Sequence, residues 1–359
     1  MRLAWRARHD VLVRAIVFDR FGGPVDVRSV PDPTPSPGGV VVEVHATGLC
    51  RSDWHAWAGH DDGVALPHVP GHELVGVIVE VGADVRRWAV GDRVTTPFVC
   101  GCGRCEWCRS GQAQVCPDQT QPGFTHWGSF AERVALHEAD TNLVAVGDRV
   151  EDAAAAALGC RFATAYRALH ARAGLRPGEW VTVVGAGGVG LSAVQIAVAA
   201  GAHAVAVDRT PAALELARRL GATHTVLAGR GDVAAQVHDL TGGGSHVAVD
   251  AVGSPDTCAD AIHSLRRRGR HVQVGLLPSV DGHPAVPMDR VIGWEIDVLG
   301  SHGMASVDYP DMLRLVEQGT LRPQDLVERV VGLTEGARLL PVLDTAAPVG
   351  VTLVDPRLA

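Results

Sequence analysis

No stretch of this chain approaches the roughly 20 consecutive apolar residues that a membrane span requires, and no apolar run follows the charges near its start. Arg2, Arg6, Arg8 and His9 lie within Met1–Val13 without the hydrophobic region of a secretory signal. The expectation there is a frayed extension ahead of a first strand at Arg14–Asp19. Positive charge is not in surplus either: 32 Lys+Arg stand against 40 Asp+Glu, a formal net charge of −8. That balance disfavours nucleic acid and anionic membrane surfaces as partners. Aromatic residues are scarce at 4 %, and internal repeats and low-complexity tracts are missing. What remains is an ordinary globular composition over 359 residues, enough for about two domains and a sizeable core. The expectation is a cytoplasmic protein.

Cysteine is the residue whose distribution is uneven. Five of the eight lie between Cys100 and Cys116, and without an export signal such clustering points to metal before disulfide. Cys102, Cys105, Cys108 and Cys116 follow C-x2-C-x2-C-x7-C in a loop rich in Gly and polar residues. Thiolates three positions apart in a turn converge on one tetrahedral Zn²⁺, and four of them leave no open position, which describes a structural site.

The texture of the chain changes near Asp152. Before it, Val40–His45, Leu74–Val81, Val90–Val94 and Arg133–Leu136 read as strands punctuated by Gly and Pro, with Pro31–Pro37 as a stiff connector. After it, an Ala-rich run to Ala157 and Phe162–Ala173 read as helices. Strands at Trp180–Val184, Ala204–Val207, Thr225–Leu227, His246–Val249, His271–Val274 and Ile296–Leu299 then alternate with helices, including Leu191–Ala200 and Pro211–Leu220. That alternation is the pattern of a parallel sheet with crossover helices. From Gly300 the character is mixed again, with a helix at Tyr309–Gln318 and a last strand at Gly350–Val354.

Gly185-Ala-Gly187-Gly188-Val189-Gly190 follows a strand and opens a helix. Glycines there permit a tight turn, close approach of a pyrophosphate and close helix–strand packing, with the helix N-terminus facing the phosphates. Asp208 ends the next strand, where a carboxylate accepts hydrogen bonds from an adenosine ribose and repels a 2′-phosphate. NAD is therefore favoured over NADP, and Arg209 beside it moderates the preference.

Three scattered residues complete the chemistry: Cys50 in Gly48-Leu-Cys-Arg-Ser-Asp-Trp-His55, His72 in Pro70-Gly-His-Glu73, and Cys160 in Leu158-Gly-Cys-Arg-Phe-Ala-Thr-Ala-Tyr166. Two thiolates and one imidazole leave a fourth tetrahedral position for water or substrate. With G-x-C-x-[ST]-D-x-x-H, G-H-E, the four-cysteine loop, G-C-x-F-x-T-x-Y and G-x-G-G-V-G in that order, the chain resembles the zinc-dependent medium-chain alcohol dehydrogenases from about Arg14 to Val354.

The resemblance implies an α/β plus β fold: a GroES-like catalytic domain in two chain segments, 1–161 and 300–359, with a Rossmann-type doubly wound parallel sheet inserted at 162–299 and the substrate site between them. It further implies two Zn²⁺ per chain, the catalytic one on Cys50, His72 and Cys160 and the structural one on Cys102, Cys105, Cys108 and Cys116. Asp53 matches the aspartate that orients the ligand histidine, and Glu73 the glutamate beside the zinc. Ser52 would contact the substrate oxygen, with His55 at the outer end of a proton relay through the cofactor ribose. Arg51 matches a pyrophosphate-pairing position, and Thr164 an expected cofactor contact beside Gly185, Gly187, Gly188, Val189, Gly190, Asp208 and Arg209. The implied reaction is reversible hydride transfer between a primary or simple secondary alcohol and NAD, giving aldehyde or ketone.

Two positions depart from the family pattern. Arg161 follows Cys160 where the better-known enzymes have Gly, and Val349-Gly350 stand where some relatives place a pyrophosphate-binding Arg. No insertion separates the zinc loop from Gly128-Ser-Phe130, as in the tetrameric microbial type, so a homo-oligomer, tetramer or dimer, is expected. Trp54, Trp57, Phe98, Trp127 and Phe130 are candidate pocket walls. A polyol dehydrogenase is disfavoured because many of those carry Glu in place of Cys160. A zinc-knuckle interaction module leaves the glycine turn and the Cys50/His72/Cys160 set unexplained.

Overall fold

Two kinds of sheet organise the chain in this computed structural model, which describes residues 12–277, 283–346 and 349–358. The Arg-bearing stretch expected to fray lies outside the described residues up to position 11. Among those described, no helix is long and apolar enough to cross a membrane.

The first sheet is antiparallel and centres on Val40–Leu49, whose run of β-branched residues is buried along most of its length. It pairs with Leu74–Val81, with Arg133–Leu136 and with Val351–Val354. Beyond Leu74–Val81 come Arg93–Thr95 and Val144–Ala145. Val40, Val42, Val44, Leu74, Ile78 and Val94 form the core of this layer. At about 1.5–3 kcal/mol for each fully buried large aliphatic side chain, it holds the strand ends in place. Register sets which ends meet: Thr47 opposes Leu74, so the chain leaves one strand at Cys50 beside where it enters the other from His72.

A hairpin of Leu12–Val17 with Asp26–Pro31 lies apart from that sheet. The first strand thus starts earlier than expected. Pro31, expected to begin a connector, instead ends a strand, a position where its missing N–H costs no ladder bond.

The second sheet has six strands, all pairings parallel, in the order His224–Leu227, His203–Asp208, Trp180–Val184, Ser245–Asp250, Leu265–Gln273, Asp297–Gly300. Numbered along the chain this is 3-2-1-4-5-6, the doubly wound order, with its reversal at Trp180–Val184. Gly188–Ala199 is buried nearly all round, from Gly190 to Ala197, as a crossover helix pressed on a sheet is. Other helices are stopped and started by local chemistry. Asp232 Oδ1 accepts from the Ala235 N–H, Ser254 and Thr257 form a capping box, and Gly242 closes a helix in the left-handed region.

Contacts divide the chain into one unit of residues up to Cys160 with Ala305–Pro310 and Arg329 onward, and another of Arg161–Met304 with Asp311–Glu328. The division differs from the boundaries expected at 161 and 299 chiefly in one place. Asp311–Glu328 joins the parallel-sheet unit, fastened by Gln195, whose Nε2 donates to the Arg322 carbonyl at 2.9 Å and whose Oε1 accepts the Arg322 N–H at 2.8 Å. An amphipathic helix such as Tyr309–Glu317 does not announce in its sequence which sheet its apolar face will cover.

Candidate metal centres and the nucleotide turn

Cys50 ends the central strand and caps an unexpected short helix, Arg51–Ala58. His72 lies two residues before the paired strand Leu74–Val81, and Cys160 sits in a π-type turn, Leu158–Phe162, that widens the helix entering it. Their ligand atoms all lie within 4.8 Å of one another. Asp53, fully buried, ties the set together. Its Oδ2 accepts the Cys50 N–H at 2.9 Å, and its Oδ1 accepts the Gly71 N–H at 3.0 Å and meets His72 Nδ1 at 2.9 Å. This leaves His72 Nε2 buried with no hydrogen-bond partner. An orphaned imidazole nitrogen aimed at two thiols is the donor set a tetrahedral Zn²⁺ takes. Burial opposes a charge on His72, but Asp53 and Cys50 more than offset it and hold its pKa well above the ordinary histidine value.

Glu73 is fully buried behind the trio, its Oε1 accepting the Cys160 N–H at 3.2 Å. Gly159 fits against Glu73 so closely that a Cβ would stand 3.0 Å from its Cα. The Gly159 carbonyl accepts from Tyr309 Oη at 3.2 Å, which fixes the Cys160 turn from a residue the sequence did not single out. Phe98 and Phe124 set their rings edge-on to His72, at 6.1 and 5.3 Å. Phe98, expected as a pocket wall, and Phe124, which the sequence did not single out, thus both border the His72 ring. Phe130 instead is fully buried among Ile16, Leu49 and Val69. Trp57 and Trp127 donate their indole N–H to the Gly23 and Pro67 carbonyls.

The second cluster, Cys102, Cys105, Cys108 and Cys116, also brings its four sulfurs within 4.8 Å. Cys105 caps the one-turn helix Glu106–Arg109 and accepts the Cys108 N–H, while the Cys102 N–H points at Cys116 Sγ. Asn142 clamps the loop, accepting from Gly101 N–H and donating to its carbonyl. Four thiols this close cannot all ionise by themselves. Backbone N–H groups hold Cys102 down at about 7, whereas burial pushes Cys108 up to about 12. A dication resolves that conflict, so both clusters fit zinc. Cys100 and Cys258 belong to neither; burial raises each thiol to about 11.

Ser52 Oγ lies 3.7 Å from Cys50 Sγ. His55, one turn on, projects from the same helix face. Burial, then His60 and Arg51, lower its pKa. Arg51 forms an ion pair with Asp344 within the same unit.

In the parallel-sheet unit, Gly185 adopts φ +95°, the left-handed turn that glycine supplies. A Cβ on Gly190 would lie 1.7 Å from the Gly185 carbonyl oxygen, while Gly187 borders open space. The turn is thus pinched on one side and open on the other, with Val189 in the first turn of the helix, a shape that fits a dinucleotide pyrophosphate. Asp208 accepts the Ala186 and Thr210 N–H groups, both at 2.7 Å, and Arg209 is exposed. Thr164 is buried on a helix packed against Gly188–Ala199. Arg161, also buried, lays its stem over Gly188, where a Cβ would meet its Cδ at 2.4 Å.

Known proteins resemble this chain. Residues 36–148 match the family described as the alcohol dehydrogenase GroES-like domain, and residues 188–318 the zinc-binding dehydrogenase family. An alcohol dehydrogenase of Geobacillus stearothermophilus is 37 % identical over 314 residues, covering 86 % of this chain and 90 % of that protein. An NAD-dependent alcohol dehydrogenase of Sulfurisphaera tokodaii is 31 % identical over 355 residues, covering 96 % of this chain and all of its own length (100 %). The structure of an alcohol dehydrogenase from Thermus sp. ATN1 superposes with a TM-score of 0.86 at 31 % identity, over 95 % of this chain and 99 % of that one.

Proposed function

Because the chain belongs to the zinc-dependent medium-chain alcohol dehydrogenase family, we propose how its own residues divide the NAD-dependent oxidation of an alcohol. Cys50, His72 and Cys160 hold the catalytic zinc. Cys102, Cys105, Cys108 and Cys116 hold a second, structural one, for two ions per chain. The observation that carries the catalytic assignment is His72 Nε2, buried without a partner among the thiols while Asp53 fixes Nδ1. Zinc bound there would supply a Lewis acid that lowers the pKa of a substrate hydroxyl, and a bound nicotinamide would supply the hydride acceptor.

The side chains do the rest. Asp53 orients the His72 ring and keeps it basic. Phe98 and Phe124 shield that ring from water. Ser52 Oγ takes the hydroxyl proton and His55 receives it beyond. The glycine turn, with Val189, seats the pyrophosphate. Asp208 faces the adenosine ribose, which favours NAD over NADP, and Thr164 and Arg209 flank the same cofactor. Arg51, engaged by Asp344, contributes to the cofactor only if that pair opens. The substrate class is a primary or simple secondary alcohol, and the assembly a dimer or tetramer in the cytoplasm.

Cys50→Ser is expected to abolish alcohol oxidation and release about one of two zinc ions while NADH still binds. Metal analysis and NADH fluorescence read both quantities. Retained turnover, or loss of NADH binding, would reject the assignment. A panel of alcohols assayed with both nicotinamides defines the substrate.

A further inference from the structure

The helix that starts at Cys50 ends on a left-handed glycine, Gly59 at φ +82°. Gly59 N–H bonds to the Ala56 carbonyl and His60 N–H reaches back to the His55 carbonyl at 2.9 Å. This paired closure folds the residue after the glycine onto the last turn, and it brings His60 over His55. Their Nδ1 atoms are 3.0 Å apart, and the edge of Trp54 packs against both rings, at 5.0 and 5.4 Å. Two Nδ1 atoms at hydrogen-bond distance share one proton between neutral rings, so each ring dictates the tautomer of the other. His55 is half-buried and His60 exposed, giving the pair an inner and an outer end.

We propose that His60 is a positioning residue for proton release: it holds His55 as the Nδ1–H tautomer and takes over that proton. The inference rests on the proposed role of His55 in the reaction. With His60 Nδ1 accepting, His55 Nε2 is free to receive the proton that leaves the alcohol. The Nδ1 proton of the resulting imidazolium passes to His60 Nδ1, and exposed His60 gives up its Nε2 proton to water. One proton enters at His55 Nε2 and one leaves at His60 Nε2, which inverts both tautomers. Uptake of a proton from water at His60 Nε2, return of the Nδ1 proton to His55 and loss of the His55 Nε2 proton to water reset the pair with no net gain or loss. Arg51 and Asp344 also face His55, as does Cys50 from the helix start, but none of these offers a neutral acceptor pointed at solvent.

The test compares wild type, His60→Asn, His60→Gln and His55→Asn. The Schellman-type bonds use backbone alone, so the His60 variants keep the turn, and unchanged NADH binding verifies this. Pre-steady-state NADH formation in His60→Asn is expected to fall about tenfold near pH 6.5. The deficit should vanish toward pH 9, where solvent base suffices, and free imidazole should restore the rate. The ¹⁵N spectrum of the nucleotide-free protein should show His55 protonated at Nδ1 in wild type and shifted toward the other tautomer in both His60 variants. Profiles for both His60 variants that superpose on wild type, while His55→Asn is slow, would overturn the role of His60 alone. A pH-independent loss without imidazole rescue, or wild-type His55 protonated at Nε2, would overturn it as well. Full activity in His55→Asn at every pH would instead remove the relay on which the inference stands.

Discussion

Asp53→Asn replaces one oxygen of a fully buried carboxylate with NH₂, and the hydrogen bonds that carboxylate accepts forecast the cost. Oδ1 serves two groups, Gly71 N–H and His72 Nδ1, and Oδ2 serves Cys50 N–H. An asparagine must turn its NH₂ toward one side or the other. Facing Cys50, it sets donor against donor and leaves one buried N–H unsatisfied. Facing His72, it does so for Gly71 and for the Nδ1–H a zinc-ligating imidazole carries. The first orientation is cheaper, and one orphaned buried donor costs about 1–3 kcal/mol. The His72 bond also loses its charged acceptor, which makes Nε2 a weaker ligand; such outer partners are typically worth about 10–100-fold in metal affinity. We therefore expect Asp53→Asn to lower unfolding free energy by about 1–3 kcal/mol and zinc affinity at one site by about 10–100-fold, with the four-cysteine site unaffected. Denaturant titration gives the first quantity and chelator competition with metal counting gives the second. A variant that matched wild type in both would mean that Asp53 neither satisfies these donors nor orients His72.

Cys105→Ser should lose stability before activity, because Cys105 both contributes a sulfur and caps the turn that carries Cys108; a drop of several degrees in Tm with one zinc lost is expected, and full stability with turnover lost would reverse the roles of the two sites. Asp208→Gly should lower the NAD/NADP preference by about tenfold and also weaken binding of both cofactors, since Asp208 accepts the Ala186 and Thr210 N–H groups within the turn; an unchanged kcat/KM ratio for the two nicotinamides would dismiss it. Burial, with His137 and His68 nearby, pushes the His126 pKa down to about 3. Its folded value is thus depressed below the ordinary 6.5, so its contribution to stability is complete above that pH and is lost as pH falls toward 3, at no more than about 1.4 kcal/mol per pH unit. Unfolding midpoints across pH 3–8 should fall less steeply in His126→Gln than in wild type, and parallel curves would refute this.

The legible part of the chain was the part whose chemistry is local. A C-x2-C-x2-C run brings sulfurs together through one or two turns, and alternating strands and helices with Gly185–Gly190 announce a parallel sheet before any long-range contact is known. The Cys50/His72/Cys160 set has no such locality; only the resemblance joined the three. The antiparallel register that puts Thr47 opposite Leu74 brings Cys50 beside His72, and Glu73, accepting the Cys160 N–H, brings in the third; no single segment encodes either. Three other features stayed hidden for the same reason. Pairing of Asp26–Pro31 with Leu12–Val17, the attachment of Asp311–Glu328 through Gln195 and Arg322, and the Tyr309 hydroxyl on Gly159 each depend on a distant partner. His60 is the instructive exception. Ala58-Gly59-His60 carries an ordinary helix-stop signal, and a Gly cap one position beyond a helix turns the next residue back toward the last turn. Once the helix Arg51–Ala58 is known, that signal brings His60 back onto His55, five residues earlier. It was obscured because the stretch lies in a strand-rich region and the helix itself, Arg51–Ala58, was not expected. Where a proposed ligand residue such as Cys50 also serves as a helix cap, the chain after it is worth following to the end of that helix, because the cap fixes not only that residue but every side chain one and two turns downstream.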